Sequence, residues 1–120
     1  MRLLKAFGYS VSGLVYAFKN ETAFCQEVIC FLLSMPVLFY LEAPLFAKLM
    51  VVFATVFVLV CELANSAIEA TIDRISEKRH PLSKAAKDLG SAMVLVAFIP
   101  LISVWIYVFL EHFGMIYRLY

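Results

Sequence analysis

The stretch VVFATVFVLVCELANSAIEATIDR, residues 51–74, opens as an unbroken apolar run and closes on two glutamates, an asparagine and an aspartate. A bilayer crossing takes about 20 apolar residues, and the run from Leu45 to Ile72 is long enough to hold Glu62 and Glu69 in or near lipid. An ionised carboxylate at the centre of a bilayer costs about 2.5–3.5 kcal/mol on insertion scales. Such side chains must face a protein interior or a wet cavity open to the cytoplasm.

Read at a helical period, Glu62, Asn65, Ser66, Glu69 and Asp73 fall within an arc of about 100°. Leu63, Ala67, Ile68, Ala70 and Ile72 point elsewhere. A hydrogen-bond ladder between helices is one explanation, but amides and hydroxyls would build it without charge. Paired carboxylates suit a divalent cation better, because Mg²⁺ takes oxygen ligands and often combines one or two carboxylates with substrate phosphates. Glu21, in Asn20-Glu21, lies near the same membrane face and could join them.

The rest of the chain agrees with a lipid environment. It has 120 residues, 64% of them hydrophobic and only 16% charged, with a mean hydropathy of +0.93. Soluble domains carry about 25% charge, so this is an integral membrane protein of one domain. A net charge of +1 gives no reason to expect nucleic acid. Arg2, Lys5 and Lys19 precede the first apolar run, and Arg74, Lys78, Arg79, Lys84 and Lys87 lie between the second and third. The positive-inside rule then makes the amino terminus and the 73–87 loop cytoplasmic.

Three spans are expected, at 23–41, 45–72 and 89–111. Pro36 and Pro100 lie inside them, where neighbours can satisfy the freed carbonyls. Residues 1–22 differ. Arg2, Lys5, Tyr9, Ser12, Tyr16 and Lys19 share one side of a helix, with Leu4, Phe7, Val11, Leu14, Val15 and Phe18 on the other. That is an amphipathic helix suited to the membrane surface. Cys25, Cys30 and Cys61 show no metal-like spacing and read as small apolar packing residues.

At the start of the third span, Lys87-Asp88-Leu89-Gly90-Ser91 stacks Lys87 and Ser91 one turn apart, and Gly90 allows close backbone approach. Beside a metal-ready stripe, Lys87 becomes a candidate phosphate ligand. Lys78, Arg79 and His80 add positive charge where a nucleotide would approach. Glycines occur only at positions 8, 13, 90 and 114, so a P-loop is impossible, and the protein-kinase HRD and DFG signatures are absent.

These residues form a recognisable pattern. Glu62-Leu-Ala-Asn-Ser-Ala-Ile-Glu-Ala-Thr-Ile-Asp-Arg74 with Ala86-Lys-Asp-Leu-Gly-Ser-Ala92 resembles the signature of the prokaryotic diacylglycerol kinases. Lys5-Ala-Phe-Gly-Tyr-Ser10 and Asn20-Glu-Thr-Ala-Phe-Cys-Gln-Glu27 resemble the same family's surface helix and its junction with the first span. The resemblance implies an all-α membrane protein with three transmembrane helices and an amino-terminal amphipathic surface helix, assembled as a homotrimer in the bacterial inner membrane. It implies transfer of the γ-phosphoryl group of MgATP to diacylglycerol, with Glu62 as catalytic base and Glu21 and Glu69 as Mg²⁺ ligands. ATP would be bound by Arg2, Tyr9, Glu21, Glu69, Lys78, Arg79, His80, Lys87 and Asp88. Arg2, Gln26, Glu27, Glu62, Ser91 and Trp105 would contact the lipid, and Asn65 and Asp73 would support the site. Gram-positive relatives phosphorylate undecaprenol, which is the alternative acceptor. A four-span multidrug transporter, also built around an intramembrane glutamate, lacks the basic 73–87 loop, and a non-catalytic assembly subunit would not bind nucleotide.

Overall fold

A computed structural model describes residues 1–118, apart from the side chains of residues 115–117, as four helices joined by short connections. Helix α1 spans Arg2–Asn20, α2 Thr22–Tyr40, α3 Leu45–Ile75 and α4 Pro81–Arg118. The last three are long and apolar enough to cross a membrane.

Helices α1 and α2 are separated by one residue. Glu21 adopts an extended conformation at φ −112° and ψ 99°, so the chain turns sharply there. Its N–H still donates to the Ala17 carbonyl at 2.9 Å. The joint is braced on its apolar side by Phe18 and Phe24, packed edge to face with ring centroids 5.0 Å apart. The Cys25 thiol donates to the Phe18 carbonyl at 2.9 Å. Cys61 is buried among apolar residues, as expected. Cys25 departs from a purely apolar packing role by closing this hydrogen bond across the joint.

Helix α3 is the centre of the structure. It packs along α4 over much of its length and also against α2. Its buried face repeats as Ala47, Val51, Ala54, Thr55, Val58, Cys61 and Glu62, the three- and four-residue spacing of one helical stripe. Small residues on that stripe let the helices approach closely, which is how packing between membrane helices is gained without a hydrophobic driving force. Two layers result. Leu38, Leu41, Ala47, Val51 and Val108 form one, at the end where α2 turns into α3. Val58, Cys61 and Ala97 form the other, and Leu101 packs against both.

The turn between α2 and α3 is tied down by one long-range contact and one local one. His112 Nδ1 accepts a hydrogen bond from the Glu42 backbone N–H at 2.9 Å. Lys48 Nζ reaches back to the Phe39 carbonyl at 3.4 Å, one of the carbonyls left without a helical partner at the end of α2. Large apolar side chains such as Leu33, Phe53, Leu95 and Ile99 face outward, as a lipid-embedded surface requires.

Helix α3 has 31 residues and α4 has 38. At 1.5 Å per residue these are about 46 and 57 Å long, well beyond a hydrocarbon core of about 30 Å. Both helices therefore project past the lipid. Helix α4 begins at Pro81, eight residues before the expected start of the span at 89, and α3 runs three residues past 72. Hydropathy locates the lipid boundary, whereas the helix continues for as long as its backbone is hydrogen-bonded. At the start of α4, His80 supplies a cap: its Nδ1 accepts from the Leu82 N–H at 3.1 Å and its carbonyl from the Lys84 N–H at 3.0 Å.

Candidate active site

The last turns of α3 carry the polar stripe, and the fold places it against α4 and the start of α2. Glu62 is only 8% exposed. One turn on, Asn65 Nδ2 donates to Glu69 Oε1 at 3.4 Å, which links these two members of the stripe. Glu27 on α2, Glu21 at the joint and Glu69 all lie within electrostatic reach of the Glu62 carboxylate. Residues 21 and 27 are far in sequence from 62 and 69, and the packing of α2 on α3 brings the two pairs of charges together.

Asn65 Oδ1 is buried and has no hydrogen-bond partner among the described residues. It faces Gly90 of α4, where a Cβ would collide with it and stand 3.2 Å from Asn65 Cγ. No glycine here has a positive φ. Gly90 is therefore a matter of space, not of backbone freedom.

Farther along, toward the polar ends of the two helices, Lys87 Nζ contacts Asp73 Oδ1 at 2.8 Å across the α3–α4 interface. The charge of Lys87 also reaches Glu69. Lys84 pairs with Asp88 at 2.6 Å on α4 alone. All four side chains are substantially exposed. Ion pairs of this kind contribute about 0–1 kcal/mol and exchange readily for a charged ligand.

These residues line an open cavity of about 660 Å³ together with Ser76, Glu77, Lys78, Arg79, His80 and Pro81. Its size falls in the range of about 300–1,000 Å³ typical of small-molecule sites. Lys78, Arg79, His80, Lys87 and Asp88, all expected from the sequence around a nucleotide, are thus brought into one place. Arg2 and Tyr9 sit exposed on α1. Gln26 is exposed and Glu27 half-buried on the first turns of α2, and Ser91 is exposed on α4. Trp105 stands apart. It packs with the Leu38–Val108 layer and against Phe109, about 21 Å along α4 from Ser91 at 1.5 Å per residue.

The sequence also matches known proteins. The sequence model of the prokaryotic diacylglycerol kinase family matches residues 8–109. The chain belongs to that family. It is 41% identical over 113 residues to a diacylglycerol kinase of Escherichia coli K12, covering 94% of this chain and 93% of the relative. A diacylglycerol kinase of Pseudomonas aeruginosa is 44% identical over 104 residues, 87% of this chain and 85% of the relative. One from Helicobacter pylori is 36% identical over 104 residues, covering 87% and 81%. The matched region contains the whole stripe, the joint at Glu21 and the cavity between α3 and α4.

Two features of the site had no clear sequence signal. Ser76 closes the end of α3, its hydroxyl accepting from the Lys78 N–H at 3.0 Å. The hydrogen-bond preference of Ser beyond a helix end could have suggested this. The pairing of Lys87 with Asp73 could not have been read, because it depends on how two helices are staggered.

Proposed function

We propose that this chain is an ATP-dependent lipid kinase that converts diacylglycerol to phosphatidate at the cytoplasmic face of the bacterial inner membrane, with its sites completed in a homotrimer. The observation that carries the reading is the buried Glu62 carboxylate, on a lipid-crossing helix, leading through Asn65 and Glu69 toward a cationic cavity at the membrane boundary. Membership of the family supports the same chemistry.

The residues then divide the work of phosphoryl transfer, which is mostly positioning and charge stabilisation. Glu62 accepts the proton of the lipid hydroxyl as its oxygen bonds to the γ-phosphorus. The bond from that phosphorus to the bridging oxygen breaks, and ADP leaves. Lys87 exchanges Asp73 for phosphate oxygens and offsets their charge, while Lys78, Arg79, His80 and Asp88 border the nucleotide. Arg2 and Tyr9 on α1 close over ATP, and Arg2 also meets the lipid head. Gln26, Glu27 and Ser91 enclose that head, with Trp105 farther along the lipid tail. The exposed length of α1, laid in the interface, holds the lipid hydroxyl at a depth the nucleotide can reach.

The oxygen donors of Glu69 and Glu21 suit Mg²⁺. Among the described residues of one chain, no three His, Cys, Asp or Glu side chains converge as a ready-made cage. Mg²⁺ commonly keeps waters and is held by one or two carboxylates plus substrate phosphates. Bound there, it would neutralise charge on the β- and γ-phosphates.

One subunit presents three spans and α1, too few to wall off the stripe on all sides. Asn65 and Glu69 remain half-buried, and a neighbour's helices would complete the enclosure. The basic 73–87 segment and the amino terminus then face the cytoplasm.

The test is transfer of labelled phosphate from MgATP to short-chain diacylglycerol by purified protein in micelles, with undecaprenol assayed in parallel. Preference for diacylglycerol is expected. Preference for undecaprenol would overturn the lipid assignment and retain the kinase, and transfer to neither would overturn the kinase itself.

A further inference from the structure

Position 90 lies on α4 against Asn65 of the polar stripe, two residues beyond the cavity-lining Asp88. Gly90 is buried, and a methyl group added there would occupy the place of Asn65 Oδ1. Asn65 Cγ would follow at 3.2 Å, and the nearest atom outside that side chain, Ile68 Cδ1, would be at an ordinary contact of 3.8 Å. The collision is therefore with one amide and not with the helix backbone. The end of an asparagine side chain is movable, so the amide would yield first and the helix crossing would survive.

The amide is the side chain whose Nδ2 reaches Glu69 Oε1 at 3.4 Å. Hydrogen bonds of this type are ordinarily 2.7–3.2 Å long, and one at about 3.6 Å no longer counts as formed. The contact thus has almost no margin for displacement. Its polarity is settled as well. Turning the amide over would set its oxygen against a carboxylate oxygen, and only the NH₂ group can donate to Glu69.

We propose that Gly90 is a positioning residue: its missing side chain seats Asn65 between α3 and α4, and Asn65 in turn orients the Glu69 carboxylate. The role rests on the phosphoryl-transfer reading, in which Glu69 holds the metal-nucleotide. Gly90 acts through Asn65 and touches no reacting atom. The buried Asn65 Oδ1, without a partner among the described residues, is the cost of this arrangement. It is accepted because moving the oxygen to a better site would withdraw the donor from Glu69.

The test is a double-mutant cycle in the full-length protein, using Gly90→Ala, Asn65→Ala and the pair, with kcat and the apparent Mg²⁺ requirement as readouts. A displacement of about 1 Å at a positioned group can cost on the order of 10²-fold in rate. Gly90→Ala should approach that loss, with a raised Mg²⁺ requirement and little change in KM for the lipid. In the Asn65→Ala background, the same substitution should cost nothing further. Gly114→Ala, on the same helix with nothing among the described residues against an added Cβ, should leave activity unchanged.

If Gly90→Ala does not fold, Asn65→Ala against the pair still decides. Equal activity supports a role through Asn65, and a further loss in the pair overturns it. Wild-type-like kinetics for Gly90→Ala would also overturn it. A second readout needs no turnover. The side-chain amide resonance of Asn65 should respond to Glu69→Gln in the wild type and lose that response in Gly90→Ala. Persistence of the response refutes the positioning role, whereas an inactive wild type refutes only the kinase reading.

Discussion

Replacing Glu62 by glutamine keeps the size of the side chain and most of its hydrogen-bonding capacity while removing one negative charge and the ability to accept a proton. Glu62 is 8% exposed, so the buried volume hardly changes and no cavity opens. The charges of Glu27, Glu21 and Glu69 all oppose that of Glu62, and the substitution removes every one of these repulsions. Stability should therefore be unchanged or higher. Loss of a general base typically costs roughly 10²–10⁴-fold in rate, which is about 2.7–5.4 kcal/mol in the barrier at about 1.36 kcal/mol per tenfold. The expected result is a kcat lower by that factor, an ATP affinity close to wild type, and a Tm in micelles equal to or above it. Kinase assay, nucleotide titration and thermal unfolding on the same preparation give all three. A Glu62→Gln protein that is both more stable and fully active would mean that the stripe is structural glue, and the assignment of a catalytic base would fall.

Glu69→Gln should raise the apparent Mg²⁺ requirement and lower kcat, because an amide is a poorer magnesium ligand than a carboxylate; an unchanged Mg²⁺ titration would remove Glu69 from the metal site. Asp73→Asn breaks a contact to Lys87 between side chains that are 65% and 44% exposed, so its effect on stability should stay below about 1 kcal/mol. Lys87→Met should raise KM for ATP well beyond any effect of Asp73→Asn, and equal effects would mean that Lys87 serves only the ion pair. At the other end, Leu38→Ala removes a fully buried side chain. The cost should lie near the lower end of the roughly 2–5 kcal/mol seen in soluble cores, since lipid replaces part of the lost apolar environment. His112→Ala should speed amide exchange at Glu42 by removing its acceptor, and unchanged protection there would show that the turn holds itself.

Much of this protein is decided by interactions local to one helix, and those are readable in order along the chain. The three apolar runs specify three spanning helices because lipid leaves no other way to satisfy the backbone. The stripe from Glu62 to Asp73 follows from the helical period alone, and all of its members lie on α3. What could not be read is the stagger and rotation of one helix against another. Lys87 meets Asp73 across 14 residues, and His112 meets Glu42 across 70. Neither pair carries a spacing that marks it. The start of α4 at Pro81 was hidden for a related reason: hydropathy reports contact with lipid, and a capped helix extends into water beyond it. Gly90 could be read as permitting close approach, but only the packed helices show that the group approaching is the Asn65 amide. Sequence determined which residues each helix can offer, and tertiary structure determined which of them meet, because contacts between helices depend on the register set by the whole interface.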